Sequence, residues 1–191
     1  MNDQKINKNP LLGCFEIATF MREGPQRFFE GKKAMWRSFL IAALNIPLLL
    51  ISMPYVYAAK ENLQTSTLSL ITLLFLIKVI VVMIVGLVLI YYFCHLTRRK
   101  DNFVYYITVA NWSALIGIVI FTPIIILLHF GIKSYEDLYP AIILLGIYSY
   151  AYSTFVLKHT LKLPWELAVF LMVCLMAINE TAFDFIYALA S

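Results

Sequence analysis

Five stretches of the chain are almost continuously apolar: 38–57, 68–94, 103–128, 138–157 and 165–189. Each matches or exceeds the roughly 20 residues that a helix needs to cross a bilayer. A membrane strand would instead alternate apolar and polar positions over about ten residues. Helices also satisfy their own backbone donors and acceptors inside lipid. The runs therefore predict five transmembrane helices joined by short polar links: AKENLQTST, HLTRRKDN, HFGIKSYED and KHTLKLP. At ~1.5 Å per residue the second run reaches about 40 Å, so it must tilt or protrude. Pro47 and Pro54 interrupt the first run and Pro123 the third. Pro47 and Pro123 deprive the Ala43 and Val119 carbonyls of a donor, a common way to kink and pack a membrane helix.

The chain ahead of the first run has a different pattern. Over 11–23, apolar Leu11, Phe15, Ala18 and Met21 recur at helical spacing with Glu16, Arg22 and Glu23 between them. That predicts a weakly amphipathic helix. Gly24-Pro25 ends it, and Pro25 is suited to open a second short helix. This piece carries Phe28, Phe29 and Trp36 beside Arg27, Lys32, Lys33 and Arg37, the composition of a headgroup-level segment or of a basic flank. The expected fold is all-α. It is a polytopic membrane helical bundle of five transmembrane helices, preceded by a short amphipathic amino-terminal segment. The expected division is 1–37 and 38–191. Residues 11–14, LLGC, spell a lipoprotein-type cleavage box, but the preceding MNDQKINKNP is polar. Neither a signal peptide nor lipidation of Cys14 is expected.

Composition narrows the function. Hydrophobic residues make up 62% of the 191 and charged residues only 14%. A soluble domain of this size could not cover so much apolar surface, which argues against a cytosolic enzyme, a disordered chain or a nucleic-acid-binding module. Cys14, Cys94 and Cys174 lie far apart and suggest neither a disulfide framework nor a metal site. The net charge of +4 matters less than its placement. Lys5, Lys8, Arg22, Arg27, Lys32, Lys33 and Arg37 precede the first run. Arg98, Arg99, Lys100, Lys158 and Lys162 fall in links on the same side, against Lys60 and Lys133 opposite. The bias predicts a cytoplasmic amino terminus and an outer carboxyl terminus. The basic cluster serves either as a topology determinant or as a contact for anionic headgroups.

Lys78, the fifteenth basic residue, lies inside the second run. Glu180 and Asp184 share one face of the fifth helix at i, i+4. Lys78 is ten residues from the outer end of its run and Glu180 nine from the end of its own, so the spacing predicts an ion pair between them, with Asp184 nearer the outer surface. Such a pair is either a lock between helices or an ion or proton site. Asn45 and Asn111 are candidates for an interhelix hydrogen bond. Gly146, Ser149 and Ser153 form a small face that lets another backbone approach. Tyr148, Tyr152 and Phe155 form an aromatic stripe beside it, expected in the core. His95, His129 and His159 sit at run ends on both sides and do not converge. No phosphate loop, HExxH, GxSxG or Gly-rich nucleotide turn occurs. No catalytic residue, metal ligand or cofactor is expected.

FFEGKKAMWRSFLIAALNIPLLL (28–50) and YSYAYSTFVLKHTLKL (148–163), with the five close-set runs and the basic amino-terminal segment, resemble the Yip-domain membrane proteins and small bacterial relatives. DLYP (137–140) lies ahead of the fourth run and lacks the glycine of the family's DLYGP motif, so it carries none of the resemblance. The resemblance implies non-enzymatic work in organising membranes through partners. The expected function is a membrane-organising scaffold or assembly partner, with the lipid bilayer and another membrane protein or a second copy as contacts and no nucleic acid. The alternative is a small transporter or channel subunit using Lys78 and Glu180.

Overall fold

A computed structural model describes residues 7–44, 46–47, 50–51 and 68–190. Helix α1 (Pro10–Ala18) is followed by a short 3-10 helix (Gly24–Arg27) and α2 (Lys32–Ala43). Four long helices follow: α3 (Leu68–Leu96), α4 (Lys100–His129), α5 (Tyr135–Leu161) and α6 (Trp165–Ala190). Among the described residues, four segments are long and apolar enough to cross a membrane: Thr72–Leu96, Lys100–His129, Tyr135–Leu161 and Trp165–Ala182. The second, third and fourth apolar runs end a few residues further out as helices than as runs. The extra turns carry Lys100, Asp101, Glu136 and Lys158, where charge at a helix end meets the macrodipole or water. Nine of the twenty residues of the first run, Asn45 included, lie outside the described residues.

The helix ends explain where each run stops. Asn9 caps α1 by accepting from the Leu12 N–H at 3.2 Å, and Pro10 opens it. Ser134 and Asp137 form a reciprocal capping box that starts α5 three residues before its apolar run. Lys162 ends α5 in the left-handed region, and the Arg99 guanidinium donates to the Leu161 carbonyl at 3.0 Å. Pro123 is carried inside α4, which continues across it.

The four long helices run up and down, with the α3–α4 and α5–α6 links at one end. Helix α6 packs between α3 and α5, and α4 between α5 and α3, while α2 lies along α4. At the linked, basic end Ile90 and Cys94 of α3 meet Leu157 and Leu161 of α5 and Ala168 and Leu171 of α6 in one buried cluster.

A second cluster docks the amino-terminal segment. Cys14 and Ile17 of α1 and Phe28 pack against Val109 and Ile116 of α4 and Tyr152, Phe155 and Val156 of α5. Two features of this segment go beyond the sequence reading. First, α1 buries Gly13, Cys14, Glu16 and Ile17 against the bundle and leaves the apolar Leu11 and Phe15 exposed. Glu16 can be buried because Arg27 pairs with it. Second, 25–37 is not one interfacial helix. Phe28 is extended and fully buried, Gly31 takes φ +96, and the chain restarts as α2 at Lys32. Only glycine adopts that backbone without strain. Helix α2 passes position 37 without a break.

Candidate functional site

Lys78 lies on α3 with only 5% of its surface exposed and its ammonium 5.2 Å from the centre of the Phe75 ring. Helix α6 is the neighbour of α3, and Gly86 lets Leu175 approach closely there, 3.3 Å from where a Cβ would stand. Glu180 of α6 lies within Coulombic reach of Lys78. Glu180 itself is exposed and accepts from the Asn179 amide at 3.2 Å. Asp184, one turn further along, is exposed as well.

Asn111 of α4 donates to the Ser38 hydroxyl of α2 at 2.9 Å, and Ser38 donates on to the Met35 carbonyl at 2.6 Å. Ser38 is fully buried, so this relay satisfies a polar group that packing has removed from solvent. Asn45 lies outside the described residues. Gly146, Ser149 and Ser153 are half-buried, and a Cβ on Gly146 would meet nothing within 4 Å. That small face is open. Tyr148, Tyr152 and Phe155 belong to the docking core: the Tyr152 hydroxyl donates to the Ser113 carbonyl at 2.9 Å and the Tyr148 hydroxyl to the Ala18 carbonyl at 2.6 Å. No group of histidines, cysteines and carboxylates able to hold a metal occurs among the described residues.

The amino-terminal segment contains several functional contacts that hydrophobic periodicity does not reveal. Glu16 receives a forked contact from Arg27, with Nη2 at 2.7 Å and Nε at 2.9 Å. The two carboxylate oxygens match the planar guanidinium, which holds Arg27 more firmly protonated. Gly13 leaves room for the Phe28 ring, which would stand 2.7 Å from an added Cβ. Gly24 leaves room for the Ile17 backbone nitrogen, 2.8 Å from the same position. The Cys14 thiol donates to the Trp112 carbonyl at 3.3 Å, and burial pushes its pKa up to about 12. Cys14 is thus an inert packing residue. The Tyr105 hydroxyl donates to the Pro25 carbonyl, and Lys8 donates to the Gln26 and Phe28 carbonyls at 3.1 and 3.0 Å. Helix α1 ends in a Schellman-type turn, with Met21 N–H bonded to the Glu16 carbonyl and Phe20 left-handed. Edge contacts of the Phe20 ring with Tyr148 and Phe155 offset the strain of a non-glycine residue there.

The docked segment borders an open cavity of about 850 Å³ at the basic end, where Arg22, Lys32 and Lys162 are exposed. Arg22, Lys32 and Lys162 line it, together with Lys8 beside Glu30 at 3.6 Å and with Asp101 and His159. Its wall combines the amino terminus of α2, the amino terminus of α4 and the carboxyl terminus of α5. Other basic residues nearby have structural duties: Arg99 caps α5, and Lys158 lies 4.3 Å from the Trp165 ring centre.

Comparison of the chain with protein-family models, with curated proteins and with solved structures gave no match.

Proposed function

We propose that the chain is a multi-pass protein of a bacterial inner membrane that works as a scaffold or assembly partner without catalysis of its own. The observation that carries this reading is the docking of residues 10–31 on α4 and α5. The polar groups that face this segment are consumed in holding it: Tyr105, Tyr148, Cys14 and the Glu16–Arg27 pair all make contacts within or onto it. Leu11, Leu12, Phe15 and Met21 are left on its outer side. A rigid segment that displays apolar side chains beside a basic rim suits contact with lipid or a membrane partner. The concentration of lysine and arginine at that rim supports a cytoplasmic placement for it. The Yip-like layout agrees with non-enzymatic work, and the open Gly146, Ser149 and Ser153 face suits a second helix, from a partner or another copy.

A second reading rests on Lys78. A buried cation on α3, within reach of Glu180 on α6, is the arrangement from which a small transporter or channel subunit would build an ion or proton site. One experiment separates the two. A photo-cross-linking residue is placed at Phe15 and, as a control, at exposed Leu144 of α5, in native membranes. The scaffold predicts a protein adduct of defined mass from position 15 and lipid adducts alone from position 144. It also predicts no ion flux in reconstituted vesicles. Flux that Glu180→Gln abolishes, with lipid adducts alone at both positions, contradicts the scaffold and supports transport.

A further inference from the structure

We propose that the cavity at the basic end binds a phosphate group, carried either by a lipid headgroup or by a small soluble phosphate compound. Arg22, Lys32 and Lys162 converge on it from three separate segments: the turn after α1, the start of α2 and the end of α5. Lys8 is already committed to two backbone carbonyls and to Glu30, which leaves those three cations against the single carboxylate of Asp101. The wall therefore keeps a net positive charge after its internal pairing.

The start of α2 gives independent support. The first turn of this twelve-residue helix holds Lys32 and Lys33 and no acidic residue, and its N-cap, Gly31, offers no side-chain acceptor. Cations are misplaced at the positive end of a helix dipole, where Ser, Asp or Glu is the stabilising choice. A bound anion at this point reverses the conflict. It would accept from the free N–H groups and neutralise Lys32 together with Arg22 and Lys162. Local rules are commonly broken where function requires it, and this break falls where a cavity opens. The volume of about 850 Å³ accommodates a phosphorylated headgroup or a compound of comparable size. This inference stands apart from the scaffold reading, since either a scaffold or a transporter could carry the pocket.

The test uses the full chain in a mild non-ionic detergent and follows thermal unfolding at fixed ionic strength. The probes are inorganic phosphate, pyrophosphate, short-chain phosphatidic acid and short-chain phosphatidylcholine, with sodium chloride as the ionic control. Lipid alone raising Tm identifies a headgroup site, and equal effects of pyrophosphate and phosphatidic acid identify a site for soluble phosphate compounds. Phosphatidylcholine and chloride are expected to have little effect. In either case Arg22→Ala and Lys162→Ala should each weaken binding about tenfold or more. Arg22→Lys should retain part of it, and Arg98→Ala, outside the cavity, should retain all of it. The proposal is overturned if no phosphate probe binds above the chloride control. It is equally overturned if the Arg22→Ala/Lys162→Ala double variant, still folded by circular dichroism, binds as the wild type does.

Discussion

Asn111 and Ser38 join α4 to α2 through a 2.9 Å hydrogen bond, and the Ser38 hydroxyl donates in turn to the Met35 carbonyl. The bond is directional, so it fixes the register between two packed helices more strictly than apolar contact would. Asn111→Leu should cost about 1 kcal/mol, the scale of an interhelix hydrogen bond. Unfolding in mixed micelles checks this. The Asn111→Leu/Ser38→Ala double variant should lose less than the sum of the single losses, because both remove one bond.

The two tight glycines of the amino-terminal segment make a sharper prediction. Gly24→Ala places a Cβ 2.8 Å from a backbone nitrogen that cannot move aside, so it should undock α1. Overpacking of this kind costs about 1–3 kcal/mol. Phe28→Ala removes a fully buried ring and should cost about 3–5 kcal/mol. Both variants should become sensitive to trypsin at Arg22 and Arg27 while the long helices stay intact. Gly117→Ala, where an added Cβ meets nothing within 4 Å, is the control and should resist cleavage as the wild type does.

Cys14 supplies a pH-dependent readout. Its pKa is raised from the ordinary thiol value, so the buried neutral form favours docking below about pH 9 and that contribution fades as pH rises toward 12. Maleimide should leave Cys14 unmodified near neutral pH in the folded protein. It should label Cys14 quickly in dodecyl sulfate, or in the folded protein carrying Gly24→Ala. Rapid labelling of the folded wild type at neutral pH would show that α1 is not packed against Trp112.

How far the sequence could be read follows from the kind of signal each part carries. The long helices α3 to α6 rest on long apolar runs, and the start at Trp165 coincides with the run start. The aromatic residues Tyr148, Tyr152 and Phe155 are in the core, as their spacing suggested. The docking of α1 was hidden because it depends on groups that periodicity scores as surface. Glu16 becomes buried only because Arg27, eleven positions away, reaches it. Gly13 and Gly24 are significant only as absent side chains. Part of the missing signal was present: Ser134-x-x-Asp137 is a capping-box pattern that marks the true start of α5. The basic-end cavity needed the fold, since Arg22, Lys32 and Lys162 are far apart in the chain.

The proposed Lys78–Glu180 relationship is tested by paired substitution. On the ion-pair reading, Lys78→Met should leave the Glu180 carboxylate without its partner and lower the yield of folded protein. Lys78→Met/Glu180→Leu should restore the yield. Size-exclusion profiles in detergent read both. Equal yields for wild type, single and double variants would remove the pair from the account.

The central claim is that residues 10–31 are a built part of the helical bundle and not a loose flank. Hydrogen–deuterium exchange of the protein in lipid nanodiscs tests it most directly. The account predicts that amides of residues 13–18 and the Met21 amide exchange as slowly as the ends of α4 and α5 that they contact. Exchange of those amides at the rate of an unstructured peptide, with α4 and α5 fully protected, would contradict it.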